Sequence, residues 1–364
     1  MTRVGIVGGG QLGRMLALAG YPVGIRCITL DPASDSPASQ VAPTLVGAYD
    51  DLEALDRLAA GADVVTYEFE NVPVAAARHV AERVPVFPPP GSLDVAQDRL
   101  SEKQRFEAVG LAVPPYRAVG SLADLEESLV QIGTPAVLKT RRLGYDGKGQ
   151  AVIRDRARSQ DAWRAVGEVP SLLESFVDFD AEVSIVAARA LDGSVACYPV
   201  VQNHHRDGIL RLTLAPAPGL TPALQAAAEA HVRAVMADLE YVGVLAIELF
   251  LVGDVLLGNE MAPRVHNSGH WTIEGAETSQ FEQHLRAVTD RPLGSVGMLG
   301  VAAMANLIGS EPSPEAVAAI PGAHLHTYGK APRPGRKVGH ITVRAADIDA
   351  LEGPLLQVQA LLDD

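Results

Sequence analysis

Cysteine is almost missing from this chain: Cys27 and Cys197 are the only two in 364 residues. That excludes a disulfide framework and a cysteine-ligated zinc site, and fits a reducing compartment. No apolar run is long enough to cross a bilayer, and the opening MTRVGIVGGGQLGR is a glycine-punctuated strand and turn rather than an apolar leader. The expectation is a soluble, cytoplasmic protein. Positive charge is also short: 30 Lys and Arg against 44 Asp and Glu leave a formal net charge of −14. A nucleic-acid backbone demands a broad basic surface, so that class of partner is excluded and any phosphate must be held locally. Internal repeats, heptads and low-complexity tracts are lacking, and so is a Walker motif, because Lys148 is followed by Gly149 where that loop needs Ser or Thr.

What is present is apolar content of 48% over a length too great for one ordinary core. Strand and helix patterns alternate at first, with strands at Val4–Val7, Ile25–Leu30 and Val64–Tyr67 and helices from Gln11 and Asp51, which predicts a parallel α/β sheet. Pro88, Pro89 and Pro90 end that segment, since proline lacks the ladder donor, and a charged helix follows from Arg99 to about Val109. The middle reads as a small sheet, Ala136–Thr140, Ala151–Arg154 and Ser171–Phe176, with a helix from Ser159. The remainder is mixed: strands at Ala181–Ala187, Ala196–Val201, near His324 and at Val338–Val343, and helices at Pro222–Leu239, Ser279–Val288 and from Asp347.

The most telling stretch is Val244–Arg264, VLAIELFLVGDVLLGNEMAPR, where Glu248 and Glu260 sit in two apolar strands joined at Gly253-Asp254. Two acids on one face form an oxygen-rich site for a hard cation beneath nucleotide phosphates. Register decides whether they share a face. A strict two-residue turn pairs positions summing to 507 and sets Glu248 opposite Asn259; a three-residue loop or a bulge gives 508 and sets Glu248 opposite Glu260. The odd-numbered loop is expected.

Two glycine loops accompany it. Gly8, Gly10 and Gly13 satisfy G-x-G-x-x-G after the first strand, with Asp31 at the ribose-binding distance, so a phosphate is expected at the bare amides. Between Lys139 and Gln150, three glycines and the cations Arg141, Arg142 and Lys148 suit a loop folding over a polyphosphate, with Lys139 as the fixed contact. Glu174 and Glu182 are candidate acceptors for a base or ribose. Met261 to His270 is dense in donors; Arg264 suits an anion beside the metal, and Asn267-Ser268-Gly269 opposes the helix that would bring His266 and His270 onto zinc. His204 and His205 precede Asp207-Gly208 and are expected in a turn. Arg333, Arg336 and Lys337 form a second basic cluster.

GGGQLGRML, LKTRRLGYDGKGQ, QNHHRDGIL, NEMAPRVHNSGHW and RPGRKVGH together closely resemble the ATP-grasp ligases of the N5-carboxyaminoimidazole ribonucleotide synthetase family. The resemblance implies a Rossmann-like pre-ATP-grasp domain at 1–98, a lid domain at 99–178, a large ATP-grasp domain at 179–295 and a closing subdomain at 296–364. It implies carboxylation of 5-aminoimidazole ribonucleotide with MgATP and bicarbonate through carboxyphosphate, Mn²⁺ as a substitute metal, and a homodimer. ATP contacts carry over to Arg99, Lys139, Gly144, Tyr145, Asp146, Gly147, Lys148, Gly149, Gln150, Glu174, Ser175, Phe176, Val177, Glu182, His205, Asn259 and Glu260, with Glu248 and Glu260 holding the metal. Ribonucleotide contacts carry over to Gln11, Leu12, Glu70, Tyr145, Asp146, Lys330, Arg336 and Lys337. Arg264, His266 and Asn267 would face bicarbonate, and Asp146 and Lys139 join them in catalysis. Leu143 departs from the family pattern, standing where glycine is common and reducing the loop's mobility. Rival readings are a nicotinamide-dependent oxidoreductase resting on the first glycine loop, another ATP-grasp ligase acting on a phosphoribosyl metabolite, and a nucleotide sensor without turnover.

Overall fold

The computed structural model describes residues 1–144 and 147–363, so Tyr145 and Asp146 lie outside the described residues. Strands β1 (Thr2–Val7), β2 (Ile25–Asp31), β3 (Thr44–Val46) and β4 (Val64–Tyr67) form a parallel sheet in the order β3-β2-β1-β4. Their inner residues are apolar on both faces, as helix-covered parallel strands must be. Asp51 caps the helix Leu52–Ala60 by accepting from the Glu53 and Ala54 amides.

Strands β5 (Tyr116–Val119), β6 (Ala136–Thr140), β7 (Gln150–Ile153) and β8 (Ser171–Ser175) make a small antiparallel sheet in the order β5-β8-β6-β7. Leu125, Leu129, Leu138, Trp163 and Leu173 form a core of its own.

The third sheet contains β9 (Ala181–Arg189), β10 (Val195–Cys197), β11 (Val201–Arg206), β12 (Ile209–Ala215), β13 (Gly243–Val252), β14 (Val255–Ala262), β15 (Val301–Ile308), β16 (Ala323–Thr327) and β17 (Lys337–Ala345). Its order is β14-β13-β9-β11-β12-β15-β17-β16, with β10 on β9, so one sheet runs through both of the last two predicted segments. The predicted strand Ala196–Val201 is two strands, β12 and β15 were not anticipated, and His204 and His205 lie in β11 rather than in the turn that follows. The helix Pro222–Asp238 covers one face through Val232, Val235 and Met236. On the other face Val4, Ile6, Leu16 and Ile25 share one core with Val244, Ala246, Phe281 and Leu285. The helix Gln280–Val288 is therefore wedged between the parallel sheet and the large sheet.

Candidate active site

The β13–β14 hairpin closes with Val252 opposite Val255, so the turn is the two residues Gly253-Asp254 and not the odd-numbered loop. The register nevertheless changes, because Leu249 faces Gly258 whereas Glu248 faces Glu260. Asn259 is the extra residue of a bulge, and it moves both acids onto one face. Gly258 is required beside it: a Cβ there would lie 2.9 Å from the Phe106 ring and 3.0 Å from Leu111.

Arg99 Nη1 donates to Glu260 Oε2 at 2.8 Å, and His266 Nε2 lies 3.2 Å from Glu248 Oε1. Burial would raise the Glu260 carboxyl, but Arg99, Lys139 and His266 together hold it well below its ordinary value, so it is ionised. The donor set fits a magnesium ion: two oxygen ligands on one face, with no third His, Cys, Asp or Glu among the described residues completing a cage, which leaves coordination positions for phosphate oxygens and water.

Lys139, at the end of β6, donates to Glu174 Oε2 at 2.7 Å and to Asn259 Oδ1 at 3.3 Å. Burial opposes the ionisation of Glu174, yet Lys139 and Lys103 outweigh it and hold the carboxyl at about 2. Glu174 thus anchors Lys139 and Lys103. Glu182, on β9, pairs with His205 on β11, and that imidazole is raised above its ordinary value: burial lowers it, while Glu182 and Glu248 more than compensate. Ser175, Phe176 and Val177 lead from β8 toward β9, with Phe176 exposed beneath the Arg154 guanidinium at 5.7 Å.

The loop from Arg141 to Gly149 is anchored at its start, where Arg141 grips Asp98 through two bonds of 3.0 and 2.7 Å and Arg142 lies 3.4 Å from the same carboxylate. Those two cations are thus spent on the helix start at Arg99 and not held out for phosphate. Leu143 adopts φ +63°, the left-handed conformation that favours glycine. Gly147 rests on the Asp207-Gly208 turn, where its Cβ would meet the Gly208 Cα at 3.0 Å, and Lys148 beside it is exposed.

A second pole faces the parallel sheet. Arg264 Nε donates to Glu70 Oε2, and Lys330 Nζ donates to Gln11 Oε1, joining residues from opposite ends of the chain. Burial would raise Glu70, but Arg264 reverses that and lowers it. The His266 backbone is fixed by Gln280 and its Nδ1 by Ser268, which turns Nε2 toward Glu248. Asn267 forms a reciprocal amide pair with Asn306 at 2.9 and 2.6 Å. His270 is buried against Phe281 and His340, away from the pole. Leu12 buries its side chain in the shared core, leaving only its backbone toward a ligand. Arg336 donates to the Ala331 carbonyl at 3.1 Å and Lys337 begins β17, both half-buried at the edge of this pole.

The first glycine loop departs most from expectation. Glu68 accepts from the Gly10 amide and, at 2.6 Å, from the Gly13 amide, while Asp31 accepts from Gly9 at 2.8 Å. The protein's own carboxylates occupy the amides reserved for a phosphate. Glu68, Asn306 and the adjacent ions Glu102 and Lys103 were missed by sequence reasoning. Glu68 alone had a signal, since it follows β4, whose carboxyl end lies beside β1 where such sheets gather functional groups.

Residues 104–281 match the ATP-grasp domain, residues 1–97 the ribonucleotide synthetase preATP-grasp domain, and residues 302–353 the phosphoribosylaminoimidazole carboxylase C-terminal domain. An N5-carboxyaminoimidazole ribonucleotide synthase of Pseudomonas aeruginosa is 51% identical over 361 residues, 99% of each chain. The enzyme of that name from Brucella melitensis is 47% identical, over 94% of this chain and 96% of its own. The crystal structure of N5-carboxyaminoimidazole ribonucleotide synthetase from Thermus thermophilus superposes with a TM-score of 0.96 at 55% identity, covering 99% of each chain. The Aspergillus clavatus synthase, solved with ADP and 5-aminoimidazole ribonucleotide, superposes with a TM-score of 0.93 at 32% identity, over 100% of this chain and 98% of that one. The acid hairpin, the lysine anchored beside it and the full-length likeness converge on one conclusion: the chain belongs to the N5-carboxyaminoimidazole ribonucleotide synthase family of ATP-grasp proteins.

Proposed function

We propose that this chain carboxylates 5-aminoimidazole ribonucleotide, coupling bicarbonate to its amine with cleavage of ATP to ADP and phosphate, in purine biosynthesis. The observation that carries the reading is a pair of side-chain groups: Glu248, Glu260, Lys139 and Arg99 in one, Arg264, Glu70, Gln11 and Lys330 in the other. Each of these cations is held by a carboxylate or an amide oxygen.

Bicarbonate oxygen attacks the γ-phosphorus, ADP leaves, and carboxyphosphate forms; the substrate amine then takes up the carboxyl carbon and phosphate departs. Magnesium, held by Glu248 and Glu260, would offset charge on the phosphoryl oxygens. Lys139 holds the phosphates from the strand end, and Arg264 and His266 orient bicarbonate, so the chain contributes positioning and electrostatics rather than a covalent step. Arg264 belongs to both steps because its Glu70 partner lies on the ribonucleotide side. Carboxyphosphate hydrolyses in water, which gives the loop over Asp207-Gly208 its use as a cover. Asp146 is assigned to the amine. Mn²⁺ substitutes for Mg²⁺, and a homodimer belongs to the same reading, checked by light scattering at twice the chain mass.

The test is ADP release with and without bicarbonate and 5-aminoimidazole ribonucleotide, together with trapping of labelled bicarbonate in acid-labile product. Label incorporation matching ADP supports the reading, and Asp146→Asn should release ADP without incorporation. ADP release indifferent to bicarbonate would remove it.

A further inference from the structure

The bulge at Asn259 is not explained by the hairpin itself, whose two-residue turn specifies the unbulged register. Were Asn259 drawn into the ladder with no bulge, it would take the place opposite Glu248, and Glu260 would fall on the opposite face. Something outside the hairpin must hold the bulge open, and the outer edge of β14 shows what does. The strand is the last of its sheet, so the backbone groups that point away from β13 need partners from elsewhere. The Gly258 amide donates to the Ala112 carbonyl at 2.7 Å. The Gly258 carbonyl accepts from Lys103 Nζ at 2.9 Å, and the Met261 amide donates to Glu102 Oε1 at 2.6 Å. Two successive residues of the helix Arg99–Ala108 thus hold the backbone on either side of Asn259 and Glu260.

Both clamp residues are ionisable and nearly sealed from water, Glu102 at 2% exposure and Lys103 at 0%. Buried ionisable groups at such a place seldom add stability over an apolar pair, which directs attention to the geometry they impose. Lys103 also lies 3.2 Å from Glu174 Oε1, the acid that anchors Lys139, so one lysine links the bulge to the phosphate-holding lysine.

We propose that Glu102 and Lys103 are positioning residues that set the bulge, and through it the face on which Glu260 meets the metal-nucleotide complex. The proposal rests on the carboxylase reading for the use of that metal, but its readouts need neither bicarbonate nor ribonucleotide. A wild-type chain that binds Mn²⁺ with ADP yet does not carboxylate would remove the reading and leave the clamp standing.

The full chain is compared with Glu102→Leu, Glu102→Gln and Lys103→Met by paramagnetic resonance of Mn²⁺ binding in the presence of ADP, and by amide hydrogen exchange across residues 258–262. Loss of an edge contact loosens the bulge, so Glu102→Leu and Lys103→Met should weaken Mn²⁺ binding at least ~10-fold and speed exchange by a similar factor. Glu102→Gln keeps an oxygen for the Met261 amide and should stay within about 3-fold of wild type. Should Glu102→Leu fail to fold, Lys103→Met decides, because an apolar side chain of similar length suits that buried position. Wild-type Mn²⁺ affinity in folded Lys103→Met, a lowered melting temperature without loss of affinity, or equal defects in Glu102→Gln and Glu102→Leu would each overturn the proposal.

Discussion

Glu174 and Glu68 are two buried acids with opposite tasks. Glu174 lies between Lys103 and Lys139, and its carboxyl is held at about 2 against an ordinary 4.5. A depressed carboxyl contributes stability that is fully present above pH 4.5 and lost as pH falls toward 2. Glu174→Gln leaves the fully buried Lys103 without its charge partner, so an unfolding free energy lower by about 3–5 kcal/mol at pH 7 is expected from urea titration. A gap between variant and wild type that fails to narrow from pH 4.5 to 2.5 would disprove the pairing. Glu68, by contrast, fills an anion site that a dinucleotide would need. Gln in its place turns an NH₂ group toward one of the Gly10 and Gly13 amides, at a cost of about 1–3 kcal/mol. NADH should not raise the melting temperature of the wild-type chain; saturable protection by it would revive the nicotinamide reading.

The hairpin shows how far an element can be read ahead of its surroundings. Exchanging Asn259 and Glu260 would put the carboxylate at the bulge position and an amide opposite Glu248, and should cut ADP formation by ~10³-fold or more, whereas Asn259→Ala, which keeps the bulge, should lose no more than about 10-fold. Near-wild-type turnover in the exchanged variant would show that the second acid need not lie opposite Glu248. Glycine and alternation in the sequence were enough to find the strands, the turn and the acids. They were not enough to locate the extra residue, because its stabilising partners, Ala112, Lys103 and Glu102, lie about 150 residues away in the chain. The same limit hid β15: VAAMANLI is small and apolar on both faces and carries no alternation. The fingerprint at Gly8–Gly13 was legible as bare amides at a helix start, but the spacing could not name Glu68 and Asp31 as the carboxylates that meet them. His205 was misplaced because the turn residues Asp207-Gly208 drew it from the strand that ends at Arg206.

Across the whole molecule the Arg264–Glu70 and Lys330–Gln11 contacts exist only while the parallel sheet stays docked on the large sheet, and one histidine makes that docking sensitive to acid. His284, on the wedged helix, accepts from the Val244 amide of β13 through Nδ1 at 3.1 Å and meets Thr66 Oγ1 of β4 through Nε2 at 2.8 Å. The Val244 bond fixes the proton on Nε2, which leaves the neutral ring no site for a second proton without breaking that bond. Burial holds the imidazole at about 4 against an ordinary 6.5. The sign follows: above pH 6.5 neither state is protonated and the docking is at full strength, while below it only the unfolded chain gains the proton, so stability declines until the folded ring also titrates near pH 4. The loss attached to this one ring is about 3 kcal/mol over that window. His270 and His340, also buried and lowered, add losses of the same sign. His284→Gln should therefore be less stable than wild type at pH 7.5, yet show a shallower decline between pH 6.5 and 4 in urea midpoints. An unchanged slope would mean that the proton uptake belongs to the other histidines and that the joint between Thr66 and Val244 plays no part in the acid response.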